Sequence, residues 1–255
     1  MKKNLKKILD KLVSEKNTHE GLFKEPDPLQ IAKIHANSED AEFICLLCAL
    51  FAYGNAKNIV NFLKKLDFSL LKEDEKLIKT SLKGLKYRFQ STKDLIEIFI
   101  TLRRLRQEES LEALFFKHYE KNQSILASIK AFIDKVQAVN SYRSFGYDFF
   151  FGKPFDKQPS SPLKRYNMLL RWLVRKDELD LGLFSRIDKA HLLMPLDTHT
   201  HKVSLNLGLM SRKVYDFKAV LELTSTLQSF DPKDPIKYDF ALYRLGQSKE
   251  YLRLS

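Results

Sequence analysis

The feature that most constrains the fold is the near absence of two-residue alternation between apolar and polar side chains. Apolar residues recur instead at spacings of three and four, as Leu5, Ile8, Leu9 and Leu12 do along one face of a helix. A chain of 255 residues can bury a full core without disulfides or metals. The pattern therefore predicts an all-α protein with no substantial sheet.

The same periodicity divides the chain into helices and two irregular segments. Helices are predicted over residues 40–50, 59–66, 82–89, 93–106, 111–119, 125–139, 162–176, 199–209 and 238–245. Ser38 or Asn37 is expected to cap the first of these, and Ser161, followed by Pro162, the helix over 162–176. Residues 142–161 and 177–193 are aperiodic and predict loops. We expect one domain over 1–255, with helical subdomains at about 30–140 and 160–250 joined by loop 142–161.

The charge balance favours a polyanionic partner. Lysine and arginine number 44 against 32 acidic residues, a net charge of +12. Such an excess suits nucleic acid or an anionic membrane surface. The sequence contains no run of eighteen apolar residues, so no membrane span is expected. The basic N-terminal segment lacks the apolar centre and cleavage site of a signal peptide, which predicts a cytoplasmic protein.

Cys45 and Cys48 form a C-x-x-C pair inside the apolar run 43–51. The spacing occurs in redox motifs and in half-sites for zinc. No second cysteine pair exists in the sequence, and free cysteine is a common core residue. We interpret both as core residues.

Two charged residues at predicted helix starts are candidates for chemistry. Lys164 falls in a first helical turn, where the helix dipole disfavours a cation and favours the neutral, nucleophilic amine. Asp197 precedes the helix over 199–209, where it would be an N-cap and also a fixed, oriented carboxylate. A surface lysine and a purely structural cap remain the alternative interpretations.

The run Pro195-Leu196-Asp197-Thr198-His199, followed by a helix ending in Leu207-Gly208-Leu209, resembles the signature that carries the catalytic aspartate in helix-hairpin-helix DNA glycosylases. Residues 238–246 resemble the segment that closes the base pocket, and residues 49–55 resemble the early helix whose end meets the flipped nucleotide. In the lyase members a lysine opens a helix upstream of the aspartate, as Lys164 does. The chain also resembles the DUF2400 family of uncharacterised bacterial proteins.

The resemblance implies a fold of two helical subdomains flanking a DNA-binding cleft, and a base-excision glycosylase with AP lyase activity. It implies catalysis by Lys164, through a Schiff base, and by Asp197. The other residues implied to contact substrate are Asn55, Trp172, Asp239, Phe240 and Tyr243, and those implied to contact the DNA backbone are Arg165, His199, Lys202, Arg212 and Lys213. The expected partner is damaged duplex DNA with a flipped base. No cofactor, metal or membrane is expected, and the chain should be a monomer.

Two departures from the usual pattern bear on the expected activity. Ser160-Ser161-Pro162-Leu163 stands where the superfamily usually has a glycine-rich hairpin. Thirty-three residues also separate Lys164 from Asp197, a long interval that the archaeal 8-oxoguanine glycosylases share. Oxidised purine is therefore the expected lesion. The missing hairpin keeps open an alternative, a catalytically inactive DNA-binding protein of the same fold.

A second alternative is a metal-dependent hydrolase using Asp197, His199 and His201. Asp-x-His-x-His is a metal-binding pattern in barrel enzymes, since carboxylates and imidazoles bind divalent metals well. That motif belongs at the end of a strand. On a helix, His199 and His201 would point about 200° apart and would not converge on one ion.

Overall fold

The computed structural model describes residues 2–253, which form fourteen α-helices and no β-strand longer than an isolated bridge. The prediction of an all-α protein is confirmed. In chain order the helices are α1 (Lys2–Lys16), α2 (His19–Phe23), α3 (Pro28–Ile34), α4 (Ala41–Leu50), α5 (Ala56–Leu63), α6 (Glu75–Ser81), α7 (Thr92–Glu108), α8 (Leu111–Tyr119), α9 (Ile125–Val139), α10 (Phe145–Phe151), α11 (Lys164–Val174), α12 (Thr198–Asn206), α13 (Phe217–Phe230) and α14 (Asp239–Ser248). Within these described residues, no helix is both long and apolar enough to cross a membrane.

The chain divides into two compact units. The terminal unit comprises Met1–Gln30 and Asp156–Ser255, and the inserted unit comprises Ile31–Phe155. The N-terminal helices thus belong with the C-terminal third of the sequence, because α1 packs against α14.

The terminal unit is organised around α11, whose residues from Tyr166 to Val174 are all buried. α12 packs closely against α14 at Gly246, where a Cβ atom would lie 2.8 Å from the Cβ of His199. Overpacking of this kind destabilises a core, so glycine is the residue that lets these two helices approach. The contact fixes the position of α14 relative to the beginning of α12.

The inserted unit is built on α7, which packs against α6, α9 and α10. α4 is buried along almost its whole length, and Cys45 and Cys48 are free thiols with no solvent exposure. Burial raises the pKa of both thiols well above the ordinary value, which disfavours the reactive thiolate. The interpretation of this pair as core residues is confirmed.

Three local predictions are wrong for identifiable reasons. Loop 142–161 contains the helix α10, whose N-cap is Ser144. Residues 82–89 form a turn rather than a helix, because α6 ends at Ser81 and Gly84 adopts a φ of 82°. The predicted cap Ser161 is also wrong, since α11 begins at Lys164 after Leu163.

The cap predicted for α4 is wrong as well. Asp40, rather than Ser38 or Asn37, occupies the N-cap position, but its side chain makes no capping hydrogen bond. The carboxylate pairs instead with Arg106 and with Lys72, the latter at 3.3 Å. An ion pair has therefore taken the place of the cap.

Candidate active site

Lys164 is the first residue of α11, and the chain reaches it through an unusual backbone. Leu163, in the N-cap position, has a φ of 51°, in the left-handed region, and makes no side-chain capping bond. This conformation costs a residue with a Cβ roughly 1–2 kcal/mol. The lysine side chain is half-buried, and within residues 2–253 its ammonium has neither a hydrogen-bond nor an ion-pair partner. The helix therefore begins at a strained residue followed by an unpaired amine.

Asp197 is the N-cap of α12, as the sequence predicts. One oxygen of its carboxylate accepts a hydrogen bond from the backbone N–H of Thr200 at 2.7 Å. The side chain is partly exposed, so the cap fixes the orientation of the carboxylate without removing it from solvent. The helix itself begins one residue earlier than predicted, at Thr198.

Asp239 begins α14 and is influenced by both of these residues. Burial raises the pKa of its carboxyl to about 6, and the negative charge of Asp197 adds to this increase. The positive charges of Arg171 and Lys164 act in the opposite direction. The beginnings of α11, α12 and α14 therefore lie within electrostatic reach of one buried carboxyl group.

Further polar side chains lie on the buried faces of α11 and α12. Asn167 follows Lys164 by three residues on α11, and Thr200 and Ser204 follow Asp197 by three and seven on α12, so each set shares a helix face. The side-chain oxygens of these three residues are buried and have no hydrogen-bond partner among the described residues. Buried polar atoms are normally paired, so these oxygens are unused acceptors and donors beside the candidate site.

Asp239 also belongs to a buried ion-pair network. Arg171, two turns after Lys164, donates to Asp239 at 2.6 Å and to both oxygens of Asp180 at 3.0–3.2 Å. Arg175 joins Asp180 to Asp234, which it contacts at 2.8 Å and 3.1 Å. Arg171 and Asp180 are nearly inaccessible to solvent. The network ties α11 to the start of α14 and fixes the Asp239 carboxylate.

The same network explains the irregular segment between α11 and α12. Asp180 lies in this segment, whose backbone also returns to the end of α11, where Leu181 donates to Trp172 and Phe184 donates to Leu173. The N–O distances are 2.8 Å and 2.7 Å. Segment 177–193 is therefore a structured connection that folds back on α11.

The three predicted pocket aromatics lie in different environments. Trp172 is 1% exposed and belongs to the core of the terminal unit. Phe240 is also buried, and the guanidinium groups of Arg171 and Arg244 lie 5.8 Å and 4.7 Å from its ring centre. Tyr243 is half-buried, and its ring lies 6.3 Å from that of His199. Of the three, Tyr243 alone has a side chain that is more than slightly accessible.

The pKa of Tyr243 also depends on the charges near it. Burial raises the pKa of its phenol well above the ordinary value, and Asp27 and Asp197 add to the increase. Its hydroxyl accepts a hydrogen bond from Gln247 at 2.9 Å. Tyr243 therefore lies within the electrostatic reach of Asp197 as a neutral, hydrogen-bonded phenol.

The predicted DNA-backbone residues also differ in accessibility. Lys202 and Lys213 are exposed and make no ion pair within the described part of the chain. His199 is exposed and Arg165 is half-buried. Arg212 is held by Asp216 through two hydrogen bonds, one of them 2.7 Å long. Lys202 and Lys213 are thus the cations most available to an anion.

Asn55 lies in the inserted unit. It is exposed and is the N-cap of α5, where its side-chain oxygen accepts from the backbone N–H of Asn58 at 3.2 Å. A local capping role therefore accounts for this residue without any substrate. Its predicted contact with a flipped nucleotide stays a prediction.

His199 and His201 have different surroundings. His199 is exposed, whereas His201 is buried, with its Nε2 3.0 Å from the carbonyl oxygen of Arg212. Among residues 2–253, no group of three or more histidine, cysteine, aspartate or glutamate side chains is arranged to hold a metal ion. The two imidazoles diverge, as expected for positions two apart on a helix.

Sequence reasoning missed Arg171 and Asp180 as parts of this site. Arg171 stands in an otherwise apolar stretch of α11, and a lone cation in such a stretch is a signal that it needs a buried partner. The identity of that partner was not predictable, because Asp239 is 68 residues away.

The fold and site define an all-helical protein whose terminal unit brings one amine and two carboxyl groups to the beginnings of three helices. Residues 27–248 match the sequence profile of DUF2400, a family described as a protein of unknown function. The chain belongs to that family. A search of curated proteins and a search of solved structures found no match.

The charge arrangement around Asp239 predicts how its titration responds to substitution. Carboxyl ¹³C NMR should give a midpoint near pH 6 for Asp239. Lys164→Met should raise this pKa because it removes a positive charge, and Asp197→Asn should lower it because it removes a negative one. Because the folded protein raises the pKa of Asp239 from its ordinary value of 3.8 to about 6, the stability associated with its protonated form is lost as pH rises between these two values.

The exposed Lys202 provides the matched control, and Lys202→Met should leave the Asp239 midpoint unchanged. If Lys164→Met and Asp197→Asn both leave it unchanged as well, the three residues do not share one site.

Proposed function

We propose that this protein is a DNA glycosylase with AP lyase activity that excises an oxidised purine, with 8-oxoguanine as the first lesion to test. The observation that carries the proposal is that Lys164 and Asp197 begin two helices that both contact α14, since Arg171 of α11 donates to Asp239 and α12 packs against Gly246. The resemblance of residues 195–199 to the helix-hairpin-helix glycosylase signature supplies the reaction class.

In the proposed reaction Lys164 is the nucleophile. As the neutral amine, Nζ attacks C1′ of the deoxyribose, and the bond from C1′ to the base breaks. The base leaves with the bonding electron pair and takes up a proton. Opening of the sugar ring then gives a Schiff base between Nζ and C1′. Loss of a proton from C2′ eliminates the 3′ phosphate, which cuts the strand, and water finally releases the lysine.

Features of α11 support this role for Lys164. The side chain is half-buried at a helix start with no acidic residue in the first turn. A helix start selected only for stability would carry an acidic residue there. Strained backbone such as that of Leu163 persists where the surroundings hold it, and it concentrates at functional sites.

Asp197 is proposed to stabilise the positive charge that develops on the sugar as the base departs. Its carboxylate is oriented in advance by the hydrogen bond from Thr200, so no reorganisation is needed during the reaction. Asp239, with a pKa of about 6, is proposed to contact the base, since near neutral pH such a group can accept or donate a hydrogen bond. Tyr243 is proposed to line the same pocket.

Binding to the DNA backbone is proposed to use Lys202 and Lys213, and should therefore depend on salt. If the protein neutralises several phosphates, the logarithm of the affinity should fall linearly with the logarithm of the salt concentration, with a slope of about −0.9 per phosphate on duplex DNA. Lys202→Gln together with Lys213→Gln should make this slope shallower by the contribution of about two phosphate contacts. Fluorescence anisotropy over a salt series measures it. A flat response in the unsubstituted protein would exclude binding along the DNA backbone.

A catalytically inactive DNA-binding protein of the same fold is the second candidate. It is favoured by the absence of the glycine-rich hairpin, since Ser160-Ser161-Pro162-Leu163 stands in its place. Borohydride trapping on lesion-containing duplexes separates the two candidates. The enzyme forms an imine that borohydride reduces to a stable covalent adduct, whereas the inactive protein binds without forming one.

A further inference from the structure

The inserted unit carries a cluster of aromatic side chains at its surface, which we name the aromatic platform: Tyr53, Phe89, Phe145 and Phe149. Phe145 is 73% exposed and Phe89 is 39% exposed. The Phe89 ring lies 4.5 Å from Phe149, 5.2 Å from Phe145 and 5.5 Å from Tyr53, measured between ring centres. Large apolar surfaces are normally buried, so contiguous exposed rings indicate an interaction site.

A buried amide holds the platform in place. Gln90 is 1% exposed, donates to the carbonyl oxygen of Gly146 at 3.1 Å, and accepts a hydrogen bond from the Tyr53 hydroxyl. Its backbone pairs with Tyr87 and closes the tight turn that presents Phe89. One side chain therefore links the three chain segments that supply the rings.

The beginning of α10 is fixed in a similar way. Asp94 accepts hydrogen bonds from the hydroxyls of Ser144 and Tyr142, the latter at 2.9 Å. A Cβ at Gly146 would lie 2.6 Å from the Asp94 carboxylate, so glycine allows α10 to approach α7 this closely. Phe145 is thus exposed on a rigid helix start rather than on a loose segment.

The surroundings of the platform are basic. Arg88, at a φ of 53°, places its guanidinium 5.7 Å from the Tyr53 ring centre. Residues 83–94 and 142–153, which carry most of the platform, contain six lysine or arginine residues against only Asp94 and Asp148. Asp94 is buried and used by the hydrogen bonds to α10. Exposed cations on the segments that carry these aromatic rings are complementary to a polyanion that also carries flat rings.

We propose that the aromatic platform binds unpaired bases of single-stranded nucleic acid, by stacking on the exposed rings, while Arg88 and the neighbouring lysines contact the phosphates. Every base has a π-face, so such binding does not depend on sequence, and aromatic side chains with cationic neighbours are the usual means of achieving it. This binding needs no chemistry at Lys164 and therefore does not rest on the proposed glycosylase activity.

The test compares the binding of two fluorescein-labelled ligands by fluorescence anisotropy. One is an oligothymidylate of about twelve nucleotides, and the other is a chain of abasic tetrahydrofuran units with the same number of phosphates. The intact protein should bind the oligothymidylate at least about tenfold more tightly than the abasic chain, because only the former can stack. The double substitution Phe89→Ala with Phe145→Ala should abolish this preference. Phe23→Ala, at a 45% exposed phenylalanine of the terminal unit, should preserve it.

A conservative pair of substitutions distinguishes stacking on aromatic rings from general apolar contact. Phe89→Leu with Phe145→Leu keeps apolar surface and loses the rings, so the preference should fall as it does for the alanine pair. The proposal is overturned if the intact protein binds both ligands equally or binds neither, or if either double variant keeps the preference. Trapping at Lys164 is measured separately, so failure of one proposal leaves the other standing.

Discussion

Replacing Arg171 by methionine is expected to lower the free energy of unfolding by about 3–5 kcal/mol, because removing one member of a buried ion pair leaves an uncompensated charge in the core. Arg171 is the only cation that contacts Asp239 directly among the described residues, and it shares Asp180 with Arg175. Urea denaturation at neutral pH measures this decrease in the free energy of unfolding.

The matched control is Lys130→Met, which removes a partly exposed pair with Asp134 at 2.7 Å. Pairs of this kind contribute about 0.5 kcal/mol or less. Adding Asp239→Asn to Arg171→Met should recover part of the loss, because it removes the carboxylate that the first substitution leaves without a paired cation. If Arg171→Met lowers the free energy of unfolding no more than Lys130→Met does, the buried ion-pair network does not stabilise this site.

Substitution of Lys164 is expected to have the largest effect on activity. Lys164→Gln should abolish borohydride trapping on a lesion-containing duplex while leaving the affinity for that duplex nearly unchanged, because the amide has no amine to form the imine and keeps a similar length. Anisotropy gives the affinity, and gel separation after reduction gives the covalent product. Lys218→Gln, the matched control at an exposed lysine of α13, should still trap.

Asp197→Asn should behave differently because its role is electrostatic. Base release should fall by about a hundredfold or more, as for the loss of one preorganised charge-stabilising group. Trapping on a preformed abasic site should persist in part, since no base must depart there. Equal losses on both substrates would contradict the division of roles between Lys164 and Asp197.

Much of the fold could be predicted because most helices carry their own signals. α8 and α9 begin and end as the three- and four-residue periodicity predicts, each after a serine cap. α13 was not predicted, although Asp216 caps it and Val220, Leu223 and Leu227 share its buried face. Its N-cap and its spacing of buried residues are signals of the same kind as those of α8, so the sequence contains the information that predicts it.

The wrong predictions lie where tertiary contacts overrode local pattern. Residues 82–89 have helical periodicity, but Tyr87 is drawn into the inserted unit's core beside Phe51 and Phe62, at ring distances of 5.5 Å and 4.2 Å. The aromatic run at 145–151 reads as irregular because nearly every residue is apolar. Its helix is specified by the Ser144 cap and by packing on α7.

The candidate site was predictable only in part, for a similar reason. Asp197 could be identified from its capping position, because a cap interacts with residues three positions away. The contact of Arg171 with Asp239 joins positions 68 apart, and no local signal encodes such a pairing. Likewise, the position of Lys164 at a helix start was predictable, whereas the strained backbone of Leu163 was not.

The most direct test of the proposed mechanism is to identify the residue that becomes covalently attached to DNA. The protein is incubated with a duplex containing 8-oxoguanine, and separately with one containing an abasic site, in the presence of borohydride. The DNA is then digested, and the protein is mapped by mass spectrometry. We predict a reduced sugar adduct on Lys164, in the peptide that contains the start of α11. An adduct confined to other lysines, or none on either duplex despite binding, would contradict it.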